Sequence, residues 1–256
     1  MTLLRAFAFN AYFFGLTTIM AIIGIGVRVF APGAVLAYAK FWSRLVIQGA
    51  ARICGIRAVI TGWEHLPASG PLLLASQHQS AFDTLVWMTL LPAPSYVIKQ
   101  ELTRIPLFGP LLIGAGMIPV DRTAGASAMR GMLQATGHAR DTGRQIIIFP
   151  EGTRLAPGER VKLQPGIAAM ATRLEMPVYP VATDSGLRWG RRAFLKYRGP
   201  VHIAIGAPIA AGTPRAALLD GIESFWRSAE RASYRPVGKS VEDVSPERGT
   251  AVKTTP

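Results

Sequence analysis

Residues 71–83 read Pro71-Leu-Leu-Leu-Ala-Ser-Gln-His-Gln-Ser-Ala-Phe-Asp83. The apolar run Leu72–Ala75 does not alternate with polar residues, which is the pattern of a strand covered on both faces. It gives way at Gln77 to a polar turn, and Ser80 then offers an oxygen to cap a following helix. A strand, a turn carrying a histidine and a helix in direct succession describe one rim of an open α/β sheet, where functional side chains collect at strand carboxyl ends.

The same punctuation recurs on both sides of this stretch. Strands are predicted at Arg57–Thr61, Pro71–Ser76, Ser95–Lys99, Gly116–Asp121, Gln145–Phe149, Val178–Ala182 and Val201–Ile205. Helices are predicted between them at Thr84–Leu91, Pro106–Ile113, Ala126–Thr142 and Ile167–Leu174, with a last one from about Pro214 to Tyr234. This alternation defines an α/β fold: a mixed, largely parallel sheet flanked by helices. We expect membrane-associated helices over 1–56, the α/β domain over 57–235 and a disordered polar tail over 236–256.

The front end differs from the body in composition. No Asp or Glu occurs before Glu64, whereas Arg5, Arg28, Lys40, Arg44, Arg52 and Arg57 all fall there. Between Arg5 and Arg28 lie 22 uncharged residues, about 33 Å of helix at 1.5 Å per residue, close to the ~30 Å of a hydrocarbon core. Three readings stand: a spanning helix with its downstream side cytoplasmic, a helix dipping into one leaflet, and a signal peptide, against which its length and the lack of a cleavage motif weigh. The segment Val35–Ile56 mixes Leu36, Phe41, Leu45, Ile47 and Ile53 with Lys40, Arg44 and Arg52, as a surface-lying amphipathic helix does.

Across its 256 residues the chain carries a net charge of +13 with half its residues hydrophobic. High apolarity joined to high positive charge points to an anionic membrane surface; nucleic acid or an acidic protein is the competing partner. Arg188, Arg191, Arg192, Lys196 and Arg198 form one basic cluster that would suit either anionic lipid or an acidic carrier. A single cysteine, Cys54 among apolar neighbours, excludes an internal disulfide and a cysteine-rich zinc site and reads as a buried small hydrophobe. Phosphate-loop, His-Glu-x2-His and Gly-x-Ser-x-Gly motifs are all absent.

Two places carry chemistry. If His78 sits in the turn and Asp83 in the first helical turn, the carboxylate meets the imidazole, fixes its tautomer and stabilises its cation. That pair is a general base for an external hydroxyl; spacing alone does not separate it from a loop histidine beside a helix-start carboxylate. The second place is Phe149-Pro-Glu-Gly-Thr-Arg154, which again follows a buried strand. Gly152 allows close backbone approach and Arg154 suits a phosphate. Lys99 and Arg122 fall at two further strand ends, so an anionic ligand is expected there. His65, His138 and His202 show no partner in the sequence.

Taken together, these blocks resemble the glycerolipid acyltransferase family. His78-Gln-Ser-Ala-Phe-Asp83 is similar to that family's H-x4-D block. Lys99-Gln-Glu-Leu102, Pro106-Leu-Phe-Gly109 and Gly116-Met-Ile-Pro-Val-Asp-Arg122 resemble its second block, Phe149–Arg154 its third and Val178-Tyr-Pro-Val181 its fourth. Gln77 stands where the family often has Asn, and Val161–Gly166 matches loosely. The resemblance implies catalysis by His78, oriented by Asp83, with acceptor binding by Lys99, Arg122, Glu151, Gly152, Thr153 and Arg154. The implied reaction moves an acyl group from acyl-CoA or acyl-acyl carrier protein to the sn-2 hydroxyl of lysophosphatidate, with no metal or cofactor and no nucleic acid. It implies an inner-membrane enzyme facing the cytoplasm. Acylation of another lysolipid, such as a lyso-ornithine lipid, hydrolysis by His78-activated water and a membrane-anchored binder of acidic partners are the alternatives.

Overall fold

The computed structural model describes residues 1–121, 125–231 and 239–240. One sheet contains β1 (Ile56–Thr61), β2 (Leu72–Ser76), β3 (Pro94–Lys99), β4 (Ile118–Val120), β5 (Gln145–Ile148), β6 (Val178–Thr183), β7 (Gly199–Ile205) and the two-residue β8 (Lys239–Ser240). Their order is β4-β3-β5-β2-β6-β7-β1-β8. The five strands β4, β3, β5, β2 and β6 run parallel to one another. β7 pairs antiparallel with β6, through Val181↔Ile205 and Thr183↔Ile203, and β1 runs parallel to β7. The sheet is therefore mixed and largely parallel, as the sequence predicts.

Every residue of β2, β5 and β6 is buried, which explains why their sequences do not alternate. Alternate side chains enter different cores. Leu72, Leu74 and Ile147 pack on the face that also holds Phe9, Val46, Phe82 and Trp87. Leu73, Ala75, Ile146 and Ile148 pack on the other, with Met132, Ile167, Met170, Leu218 and Trp226. The first face is covered by α1 (Thr2–Phe30), α2 (Val35–Gly49), α3 (Ala81–Leu90) and α4 (Phe108–Gly114); the second by α5 (Gly125–Asp141), α6 (Gly166–Leu174) and α7 (Arg215–Arg231). The proposed tail, 236–256, lies outside the described residues except for Lys239–Ser240, which pairs antiparallel with β1.

The front end is a helical hairpin packed on the body. Tyr12 Oη donates to Leu45 O at 2.8 Å, Trp42 Nε1 to Thr17 Oγ1 at 3.2 Å and Tyr38 Oη to Met20 O at 2.7 Å, so α1 and α2 run antiparallel. A π-helical turn, Ala50–Cys54, follows α2 and ends at Gly55, whose φ of 69° is left-handed. Cys54 is buried, as expected, with its Sγ donating to Arg5 O. One face of α1 seats Ala6, Phe9, Met20 and Ala21 in the protein, with Phe9 edge-on to Trp189 at 5.0 Å. The opposite face leaves Leu3, Leu4, Phe7, Phe14, Ile19, Ile22, Ile23, Val29 and Phe30 exposed.

The basic cluster of 188–198 divides. Lys196 is only 2% exposed and donates to Ala193 O, Phe194 O and Asn10 Oδ1, while its ammonium sits 5.3 Å from the Trp189 ring. It ties the loop to α1 and is not available to a partner. Arg191 and Arg192 are exposed.

Candidate active site

The sheet order places the predicted strand ends in a row. Reading across β3, β5 and β2, Lys99 closes β3, and the segments after β5 and β2 carry Glu151–Arg154 and His78. Neighbouring strands lie about 4.8 Å apart, so Glu151–Arg154 leaves the strand next to that of His78. Lys99 stands exposed at the end of β3, one strand further out. Arg122 lies outside the described residues.

The turn after β2 is built around one carboxylate oxygen. Asp83 Oδ2 accepts from Gln79 N and Ser80 N, both at 2.8 Å, and lies 3.1 Å from His78 Nδ1. Ser80 caps α3 by accepting from Phe82 N at 3.1 Å. This cap starts the helix at Ala81, three residues before the sequence pattern does, and brings Asp83 into its first turn. An oxygen already accepting two backbone donors takes a third from the ring, so Nδ1 carries the proton and Nε2 presents its lone pair. The amides of Gln79 and Ser80 are consumed in this turn and are not free to bind an oxyanion.

His78 is held from two further sides. Its ring stacks on Phe149, with centroids 4.0 Å apart and planes at 19°, and Phe149 stacks on Tyr96. Its backbone N–H donates to Glu151 Oε2 at 2.6 Å. Burial pushes the imidazole below its ordinary pKa; the Asp83 hydrogen bond and charge oppose that, and the Arg154 charge adds to it. Arg154 Nε donates to His78 Nε2 at 3.2 Å. Burial also lowers the Arg154 guanidinium, and its carbonyl accepts from Arg191 Nη1.

Glu151 is buried beneath the His78 turn. It is 7% exposed, and burial pushes its carboxyl up to about 8 despite the His78 N–H. Gly152, with φ 73°, takes the left-handed turn that lets the chain double back beside His78, and Leu155 N then donates to His78 O. Thr153 and Arg154 are half-buried in that turn. Gln77, which replaces the shorter Asn of the resemblance, spans two partners: its Oε1 accepts from Thr183 N and its Nε2 donates to Glu230 Oε1, both at 3.0 Å. Glu230, on α7, also pairs with Arg160.

Several of these relations have no signal in the sequence. The Phe149 stack, the Arg154–His78 contact and the Glu230 bridge join residues 71 to 153 positions apart. A second histidine pair was also missed: His202 Nδ1 lies 2.8 Å from Asp184 Oδ2 and its N–H donates to Oδ1, clipping β7 to the end of β6.

His78, backed by Asp83 and met by Arg154, forms the centre of the site, and residues 57–184 match the acyltransferase family. The chain belongs to that family. It is 31% identical over 208 residues to the 1-acyl-sn-glycerol-3-phosphate acyltransferase of Pseudomonas aeruginosa, covering 80% of each chain. It is 30% identical over 192 residues to that of Limnanthes alba, covering 73% of this chain and 68% of the relative. The solved 1-acyl-sn-glycerophosphate acyltransferase of Thermotoga maritima shares the fold, with a TM-score of 0.73 at 20% identity over 92% of this chain and 99% of that one.

Proposed function

We propose that the protein transfers an acyl group from a thioester, acyl-CoA or acyl-acyl carrier protein, to the sn-2 hydroxyl of 1-acyl-sn-glycerol-3-phosphate, forming phosphatidate. The observation that supports it is the meeting of His78 Nε2 and Arg154 at one point, 3.2 Å apart. A base and a phosphate ligand so close suit an acceptor whose hydroxyl lies near a phosphate.

In this scheme His78 Nε2 removes the hydroxyl proton as the oxygen bonds to the thioester carbonyl carbon. Asp83 stabilises the imidazolium. The tetrahedral intermediate collapses with C–S cleavage, and His78 returns the proton to the departing thiolate. Arg154 holds the acceptor phosphate, with Lys99 further along the rim; Arg122 has the same role by the family resemblance alone. Glu151 holds the His78 backbone, and Gly152 and Thr153 shape the turn. No metal or prosthetic group enters any step.

The membrane reading follows from α1. Its apolar outer face runs from Leu3 to Phe30 while its inner face stays on the body from Ala6 to Gly24. A helix fastened along its length to the catalytic unit suits immersion in one leaflet rather than a crossing. The exposed Arg28, Arg44 and Arg52 favour the anionic cytoplasmic leaflet of the inner membrane, while Lys40 is engaged with the carbonyls of Leu91 and Pro92.

The purified protein in mixed micelles, given lysophosphatidate with acyl-CoA or acyl-acyl carrier protein, tests the reading. Phosphatidate formation by at least one donor is expected. No preference for lysophosphatidate over lyso-ornithine lipid would sink the acceptor assignment.

A further inference from the structure

The Arg154–His78 contact occupies the atom on which catalysis depends. With Nδ1 bound to Asp83, the only lone pair of the ring is on Nε2, and the Arg154 Nε–H points at it across 3.2 Å. A lone pair already accepting a hydrogen bond does not accept a hydroxyl proton. A cation at that distance also opposes formation of the imidazolium. In the ligand-free protein the general base is therefore blocked by the group that binds the acceptor.

The guanidinium feels the Asp83 charge there but is not clamped to it. Among the described residues no carboxylate forms an ion pair with Arg154, and the Arg191 contact engages only its carbonyl. A phosphate dianion is a far stronger partner for a guanidinium than a neutral imidazole, because the bond is charge-assisted on both sides and readily bidentate.

We propose that Arg154 is a phosphate-operated latch on His78. The acceptor's phosphate draws the guanidinium off Nε2, frees the lone pair and neutralises the adjacent charge, so that the base is competent only when a phosphate-bearing acceptor is seated. This rests on the proposed acyltransferase reading and deepens it. Its consequence is specificity by activation: acceptors without a phosphate fail in turnover, and water is not activated while the thioester waits alone. Without the latch, water would bond to the thioester carbonyl carbon, lose its proton to His78, and release fatty acid and thiol as the C–S bond breaks.

The test uses acyl-CoA hydrolysis by the full chain and a lysophosphatidate analogue lacking the sn-2 hydroxyl. Hydrolysis by the parent protein is expected to rise about tenfold when the analogue is added, a fraction of what a general base contributes. Arg154→Ala is expected to show the raised hydrolysis without analogue and no further response to it. Nitrogen NMR of labelled histidine should show the His78 pKa rising on analogue binding to the parent protein. Unchanged or reduced hydrolysis in the parent with analogue overturns the latch, and that arm needs no variant to fold. Calorimetric binding of the analogue separates the two ideas. Equal affinity for parent and Arg154→Ala removes the phosphate role itself. Weaker binding to the variant with hydrolysis unmoved in both removes the latch alone.

Discussion

Phe149 lies face to face with His78, ring centroids 4.0 Å apart, and seals one side of the imidazole from water. Desolvation is the largest cause of the lowered His78 pKa. Activity that needs the neutral base is lost as pH falls through that pKa, so a lowered value extends activity toward acid. Replacing Phe149 by Ser admits water and raises the pKa. The acidic limb of the kcat/KM profile is expected to move to higher pH; a limb that stays in place contradicts the sealing role.

Glu151 has a folded-state pKa of about 8 against an ordinary value of 4.5. A raised folded pKa means that the native state holds a proton which the unfolded chain has released. The stability this gives is fully present below about 4.5 and is lost as pH rises through about 8. Glu151→Gln keeps an oxygen for the His78 N–H without the ionisation. Thermal melts at pH 5 and pH 9 should show a larger fall for the parent protein than for the variant, and Glu151→Gln should keep most of its activity at neutral pH.

His78→Ala removes the base and is expected to cut phosphatidate formation by about a thousandfold. Asp83→Asn is milder. Its amide oxygen in the place of Oδ2 keeps the turn and the tautomer but loses the charge facing the imidazolium, and about a hundredfold loss is expected. Among the described residues Asp83 Oδ1 is buried with no hydrogen-bond partner, so an NH2 placed there adds about 1–3 kcal/mol of destabilisation. Equal turnover loss in the two variants, measured with saturating acceptor, would count against this division.

Phe9 joins the hairpin to the body from a site with no exposed surface. Phe9→Ala is expected to cost about 3–5 kcal/mol, read as a lower denaturation midpoint in micelles. An unchanged midpoint would show that α1 is not fastened through this contact.

Phe7 and Phe14 face outward on the same helix. Changing both to Glu should leave the melting temperature in micelles nearly unchanged while weakening flotation with anionic vesicles at least tenfold. Retention of full vesicle binding would argue against immersion of that face.

The strands were legible because burial on both faces writes itself as unbroken apolar runs. Leu72–Ala75 and Ile146–Ile148 left no other reading, and each appears within a residue or two of its place. The His78–Asp83 meeting was legible only as a conditional, because it depends on where α3 begins, and that is settled by the Ser80 cap rather than by apolar spacing. Glu151 reads in sequence as a hydrogen-bond acceptor at a strand end, but that its partner is the His78 backbone follows only from the left-handed Gly152 turn. Lys196 reads as one of an available basic cluster, and its burial has no local signal. Its partners are the carbonyls of its own loop and Asn10, 186 residues away. The Glu230 bridge and the His202–Asp184 clip depend on which strands and helices become neighbours, which local pattern does not encode.

The reversed direction of β7 and β1 has a consequence for how a lipid travels. Gly199 and Ile56, at the starts of those strands, sit beyond the ends of β6 and β2, on the rim that carries His78. The hairpin therefore enters the sheet at the rim where chemistry occurs, not at its far side. Three strand spacings, about 14 Å, separate β1 from β2, less than half the ~30 Å depth of a hydrocarbon core. With α1 immersed in one leaflet as proposed, a lysolipid would reach His78 by a sideways step at the bilayer's edge, without dissolving in water first.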